Sequence, residues 1–425
     1  MFGELDMTIL LKKKRECTNV LVGLFLLALQ MAPAGVGATT FNIADEGAKT
    51  MQEDPLFDNG KLINSLIQKM PYNGGEIVVP AGKFQIFTPI IIDRSFVTIR
   101  GVNHGLRSVI DSRDEDGDIG GGSNLRLAPS CEQGIATVKR KDEDGENDRY
   151  SGLLICDLLI SGLGKTKGQT GISIPHPTDG TRIDNITCQG LGIAVELNGA
   201  DAARVSNNWL AECGTSLTMV GGKANLVVNN HAGANPQGIT MYFKKQRWMN
   251  VAGNNIFPNG RHAIYFENCA NCVVSANMVK TYYTGAIVVD DSDCISITGN
   301  QILGTPNPEE TFNEEFLSRK IPEEAIHPKA SLKGADYGLV HIAGNDNFLS
   351  GNMIALEGSD AAGFVAVNVE AGEHNRLDSL HIAMPASSRR KIVVDGMRAR
   401  ETVVTDSVTK DEIHYTGNIR GRILP

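Results

Sequence analysis

Between about residue 180 and residue 355 the chain repeats one short phrase: an apolar residue, a variable one, a small residue or Asn, then Asn. It reads Val205-Ser206-Asn207-Asn208, Val227-Val228-Asn229-Asn230 and Val251-Ala252-Gly253-Asn254. It continues as Val274-Ser275-Ala276-Asn277, Ile297-Thr298-Gly299-Asn300 and Leu349-Ser350-Gly351-Asn352. The closing Asn residues step by 22, 24, 23, 23 and 52 positions. Between the phrases lie short β-rich runs that alternate with period two, such as Ile264-Tyr265-Phe266 and Ile287-Val288-Val289. No helical period competes with them.

A fixed period of 20–50 residues marks a stacked array, and about 23 residues is the length of three short strands and three turns. The pattern predicts an all-β, right-handed parallel β-helix, a solenoid of ~23-residue coils. The recurring Asn is expected at a turn that tolerates left-handed backbone, with its side chains bonding along the column. Leucine-rich repeats have a similar period but a fixed leucine frame, which is absent. A propeller needs a longer unit with a Trp-Asp-type signature, and the chain has 2 tryptophans.

The ends and one interruption depart from the repeat. Leu62 to Met70 reads as a short amphipathic helix, an N-terminal cap of the kind that open solenoid ends need. The 52-residue step exceeds one coil by about 29, and the excess falls in 306–334, a Pro- and Glu-rich insert. Such a loop is either a lid over a site or a solvated decoration. From about residue 386 the pattern weakens into a charged, irregular tail.

Ahead of the repeat, Lys12 to Arg15 form a basic cluster, Val20 to Leu29 a short apolar run, and Val36-Gly37-Ala38 a small-residue end. This is the layout of a cleaved signal peptide over residues 1–38, leaving 39–425 as one domain. The reading predicts a secreted protein, extracellular or periplasmic, with no membrane attachment after cleavage. The leader carries four positive and three negative side chains, so its loss moves the net charge from -9 to -10. An acidic chain without a basic block is a poor nucleic-acid binder, because phosphate contacts need clustered Lys and Arg. Of 8 cysteines, Cys17 lies in the leader and seven remain. Cys269 and Cys272 form a CxxC without the second half-site of a zinc module, so no metal is expected. Buried thiols, or one local disulfide, are expected instead.

A long solenoid offers grooves to extended polymers, and glycosidic chemistry usually uses two carboxyl groups. The acids of the repeat region include Glu196, Asp201, Glu212, Glu267, Asp290, Asp291 and Asp293. Glu267 and Asp290 fall at equivalent places on successive coils. The Asp290-Asp291 pair is similar to that of polygalacturonases, but their following Gly-His-Gly is missing.

Four runs carry a closer resemblance: Gly199-Ala200-Asp201-Ala202-Ala203-Arg204-Val205, Ala211-Glu212-Cys213-Gly214, Gly253-Asn254-Asn255-Ile256-Phe257-Pro258-Asn259-Gly260-Arg261 and Tyr337-Gly338-Leu339-Val340-His341-Ile342-Ala343-Gly344. Together with His104-Gly105 they resemble, in order from about residue 50 to 385, the inulin fructotransferases and the related difructose-anhydride hydrolases. The resemblance implies a homotrimer of β-helices with active sites at the subunit interfaces. It implies an Asp and a Glu eleven residues apart as the catalytic pair, which fall on Asp201 and Glu212. The activity implied is intramolecular fructosyl transfer from a fructan such as inulin, releasing a cyclic difructose dianhydride, with no cofactor and no metal. Hydrolysis of the anhydride and a non-catalytic glycan-binding β-helix are the alternatives. The basic, aromatic stretch Thr240 to Trp248 and the acidic insert depart from the family pattern.

Overall fold

The computed structural model describes residues 39–105, 122–139, 149–164, 168–233, 235, 238–258, 261–282, 284–305, 327–330, 333–358, 363–385, 391–405 and 412–416. The expected leader (1–38) and most of the insert (306–334) lie outside them. The described strands form a parallel β-solenoid with three long sheets: sheet 1 of 13 strands, sheet 2 of 11 and sheet 3 of 15. One coil shows the plan. Ile193–Asp201 lies in sheet 3, Arg204–Ser206 in sheet 1 and Trp209–Ala211 in sheet 2, before Thr215–Lys223 re-enters sheet 3 one level on.

Period-two alternation sends every second side chain inward, and parallel register stacks like on like. On sheet 3, Val195, Leu217, Met241, Ile264, Ile287 and Val340 follow one another in register. All are fully buried in one continuous core. Burial of each such side chain is worth about 1.5–3 kcal/mol. Helix α1 (Asn59–Lys69) runs over the sequence expected to be helical. Asp58 caps it by accepting from the N–H groups of Gly60 and Lys61, and Ile63, Leu66 and Ile67 are buried in the core.

The recurring Asn forms a buried ladder. Nδ2 of Asn208, Asn230, Asn254, Asn277 and Asn300 each donates to Oδ1 of the next Asn at 2.9 Å. The left-handed backbone falls one residue earlier than expected, on Asn207, Asn229, Gly253, Ala276, Gly299 and Gly351. The third position of the phrase bends the chain, which explains its small residues or Asn. The fourth points inward and takes up the polar groups that the bend leaves unpaired.

The described cysteines are all free: six are buried and Cys294 is exposed. Burial pushes the Cys269 thiol up to about 12 and Cys272 up to about 11, so the CxxC is neither a disulfide nor a reactive pair. Strands also continue past residue 386. Ile392–Asp395 and Ile413–Thr416 add to sheet 3 and Val403–Thr405 to sheet 1, all in parallel. The described part of the expected irregular tail is therefore further solenoid. Inward Ile392, Val394 and Val404 keep the alternation, while the charged residues between them hide it in the sequence. Among the described residues no helix is long and apolar enough to cross a membrane.

Candidate active site

Asp201 ends its sheet 3 strand at the corner leading to sheet 1. Its equivalents on later coils are Lys223, Arg247 and Ala270. The Asp201 carboxylate is mostly buried and accepts from Arg149 Nη1 at 3.0 Å and from the Lys223 backbone N–H at 3.0 Å. The Lys223 ammonium lies at 3.8 Å. Arg149 also reaches Asp179, one coil earlier, at 3.1 Å. Neither cation stands out in the sequence. Lys223 is within reach of sequence reasoning, since it lies 22 residues after Asp201, one coil on. Arg149 carries no such signal.

Glu212 lies at the corner between sheets 2 and 3, half-buried, with φ +62°. The preceding coil places Gly190 there, with φ +63°, and the Gly190 N–H donates to the Glu212 carbonyl at 3.0 Å. A left-handed conformation is ordinary for Gly and costs an L-residue about 1–2 kcal/mol. This coil therefore puts a strained, carboxyl-bearing residue where its neighbour keeps Gly. Asp201 and Glu212 stand at opposite ends of sheet 3. The strand Thr215–Lys223 runs between the two corners, a contour on the order of 25 Å at about 3.3 Å per residue. A glycosidic carboxyl pair needs roughly 5–9.5 Å. One chain does not bring these two side chains together.

The outer face of sheet 3 holds a second group of acids. Lys244, Glu267 and Asp290 are neighbours in register, and Tyr242 and Tyr265 form the adjacent column with Glu196 and Thr218 ahead of them. Glu267 accepts from the Tyr242 hydroxyl and pairs with Lys244 at 2.9 Å. Asp290 accepts from the Tyr265 hydroxyl at 2.7 Å and from Lys329 at 3.0 Å, and Lys329 lies 3.9 Å from Glu267. Burial acts to raise both carboxyls, but the tyrosine and lysine contacts outweigh it, and both end below their ordinary values. Asp291 occupies a left-handed turn, and Asp293 accepts from the N–H and the side chain of Asn345.

Lys329 belongs to the described end of the insert, which lies on this face. His327 packs on Tyr242 with ring centroids 4.6 Å apart, and Ala330 is buried against Ile239, Tyr242, Tyr265 and Val288. Arg261 donates to the Ala330 carbonyl, and Tyr337 stacks on His341 at 3.8 Å. Glu267 and Asp290 thus stand in register on successive coils, as expected, and here they anchor the insert through Lys329.

A family model described as periplasmic copper-binding protein (NosD) matches residues 156–311. The described side chains do not fit a copper centre. The cysteines there, Cys294 apart, are buried, and Cys188, Cys213, Cys269 and Cys272 donate to backbone carbonyls. Among the described residues no group of three or more His, Cys, Asp or Glu is placed to hold a metal ion.

The resemblance read from the motifs holds over nearly the whole chain. An inulin fructotransferase [DFA-I-forming] of Arthrobacter globiformis is 23% identical over 401 residues, covering 85% of this chain and 93% of that protein. A DFA-IIIase from Arthrobacter chlorophenolicus A6 in complex with DFA-III superposes with a TM-score of 0.73 at 21% identity, covering 88% of this chain and 96% of that one. The tailspike gp42 of Acinetobacter phage vb_AbaP_AS12 has a TM-score of 0.59 at 9% identity, covering 91% of this chain and 62% of that one. The solenoid alone therefore does not distinguish an enzyme from a spike.

Proposed function

We propose that this chain is a secreted fructan-degrading enzyme that transfers a fructosyl group within its substrate and releases a cyclic difructose dianhydride. The observation that carries the reading is the match along 93% of an inulin fructotransferase; the runs around Asp201 and Glu212 resemble that family's. At the inulin chain end, a hydroxyl of the terminal fructose attacks the anomeric carbon of the adjoining fructose. The bond from that carbon to the rest of the chain breaks, and the half-buried Glu212 gives its proton to the departing oxygen. Asp201 steadies the positive charge at the anomeric carbon or accepts the proton of the attacking hydroxyl. Its contacts support that division of labour: a carboxylate already accepting from Arg149 and from the Lys223 N–H is suited to stabilise a cation, not to donate a proton.

The separation of the two corners supports a site built between copies of the chain, in a homotrimer that brings the Asp201 corner of one subunit to the Glu212 corner of the next. Hydrolysis of a difructose anhydride is the second reading, favoured by the likeness to DFA-IIIases. There water attacks an anomeric carbon of the dianhydride, and the bond that breaks is the one from that carbon to the oxygen of the other fructose, which departs as a hydroxyl. Incubation with inulin, levan and difructose anhydride, followed by chromatography, separates the readings. Dianhydride released from inulin is expected. Free difructose from the anhydride alone points to the hydrolase, and no product from any of the three removes both. Glu212→Gln should lower the rate by about 10²–10⁴-fold, the usual contribution of a positioned acid.

A further inference from the structure

Sheet 2 presents an outer face of two kinds. Through its early coils the outward residues are covered: Leu159, Thr187, Ser161 and Gln189 are all buried, and His104 lies over Thr187, with its Nδ1 2.9 Å from the Thr187 hydroxyl. One coil later the cover ends. The residue in register with Thr187 is Trp209, followed by His231. The Trp209 and His231 rings stack at 5.4 Å with 26° between their planes, and Phe257 lies 5.2 Å from Trp209 and 6.0 Å from His231. Phe257 closes over Gly233, where even a Cβ would come within 2.8 Å of the Phe257 side chain. Trp209 is half-exposed, yet its Nε1 is buried without an acceptor, so its open edge is hydrocarbon.

These rings adjoin the Glu212 corner. Glu212 follows Ala211 directly, and the positions equivalent to Ala211 on the next two coils are Gly233 and Phe257. Beyond them the Trp209 column continues through Asn255, Met278, Gln301 and Met353, with no charged residue.

We propose that Trp209, His231 and Phe257 form a stacking subsite for a neutral saccharide unit beside Glu212. The assignment rests on the fructan reading for the identity of the sugar, but not for the subsite. A sugar ring is amphipathic, with C–H groups on its faces and hydroxyls around its rim. The site matches this with aromatic faces and a rim of His231, Asn255 and His104. Two coil spacings of about 4.8 Å give it roughly 10 Å of length, enough for one or two sugar rings. Two half-buried rings and the exposed His231 offer far less than the roughly 800 Å² per partner of a stable protein interface. The Trp209 column carries no charge, while Lys280 follows Phe257 in the neighbouring column; the ring faces themselves offer stacking and not ion pairing, which suits a neutral sugar.

The 2 tryptophans make the test direct. Trp248 is exposed and stands apart from this face, so Trp248→Phe leaves Trp209 as the sole indole reporter. Adding Glu212→Gln slows turnover enough for inulin-type oligofructose to be titrated in while emission is followed. A saturable change is expected, weakened by His231→Ala. In the otherwise native enzyme, Trp209→Ala should raise KM for inulin about tenfold, with a smaller change in kcat, and Trp209→Phe should recover most of it. A response to neutral gluco-oligosaccharides but not to oligofructose keeps the subsite and removes the fructan reading. Dianhydride release with a silent Trp209 and an unchanged KM in Trp209→Ala removes the subsite and keeps that reading. Emission that follows protein concentration and not sugar makes this face a contact between copies and overturns the proposal.

Discussion

Asn254 shows what one residue of the ladder does. Its Oδ1 accepts from the N–H and Nδ2 of Asn230, and its Nδ2 donates to Asn277 and to the Val227 carbonyl. Every polar atom of this buried side chain is satisfied. Asn254→Ala removes four bonds at once and strips the Asn230 N–H and the Val227 carbonyl, both on the preceding coil, of these partners. With about 1–3 kcal/mol for each buried group left without a partner, a loss of about 3 kcal/mol is expected, read as a lower denaturation midpoint. Glu212 lies on the other side of this balance. Glu212→Gly should relax the left-handed strain and raise stability by up to about 1 kcal/mol while abolishing activity. Ala276→Gly, at another left-handed corner with φ +53°, should give a similar gain with activity intact. Equal loss of activity in both variants would count against a chemical role for Glu212. The ladder residues are legible in the sequence because their spacing repeats. The bend one position earlier is not, because residues as different as Asn207, Gly253 and Ala276 satisfy it.

At the scale of the element, the outer face of sheet 3 is held together by charge. Glu267 and Asp290 lie below their ordinary values through Tyr242, Lys244, Tyr265 and Lys329, against the opposing effect of burial. A depressed carboxyl adds stability above its unfolded value, about 4.3 for Glu and 3.9 for Asp, and loses it as pH falls through the lower folded value. His262 acts in the same direction. Burial lowers it to about 4, so the unfolded chain takes up its proton first and stability falls between about pH 6.5 and 4. Melting temperature should therefore drop steeply below pH 5. Glu267→Gln with Asp290→Asn should flatten the acid limb, at the cost of a lower melting point at neutral pH, where Lys244 and Lys329 lose their partners. An unchanged acid limb would show that these carboxyls do not govern it. The adjacency of the two acids is readable from their place on successive coils. Their task is not, because Lys329 lies 39 residues from Asp290 in an insert whose path no periodicity marks.

At the scale of the molecule, the fold is legible because each coil is a vote for the same period, and the tail escapes the count only where charged residues interrupt it. The proposed site is legible only through its motifs, since its two carboxyl groups lie on different corners. That separation makes a prediction no single-chain site would share. Asp201→Asn and Glu212→Gln chains, each inactive alone, should regain activity when refolded together. About one quarter of interfaces in a random mixture would then pair an intact Asp201 corner with an intact Glu212 corner. Continued silence of the mixture, with mixed trimers shown by native mass measurement, would place both groups in one subunit.

The bond from Asn300 to Asn352 has the same 2.9 Å length as its neighbours, although 52 residues separate the two. The ladder counts levels, not residues, so it is indifferent to how much chain leaves a corner and returns. A scaffold with that property can acquire, lengthen or exchange whole excursions without renegotiating its interior. Novelty in such a lineage is therefore expected to accumulate at the corners, as grafted segments, while the column of amides beneath them stays the same.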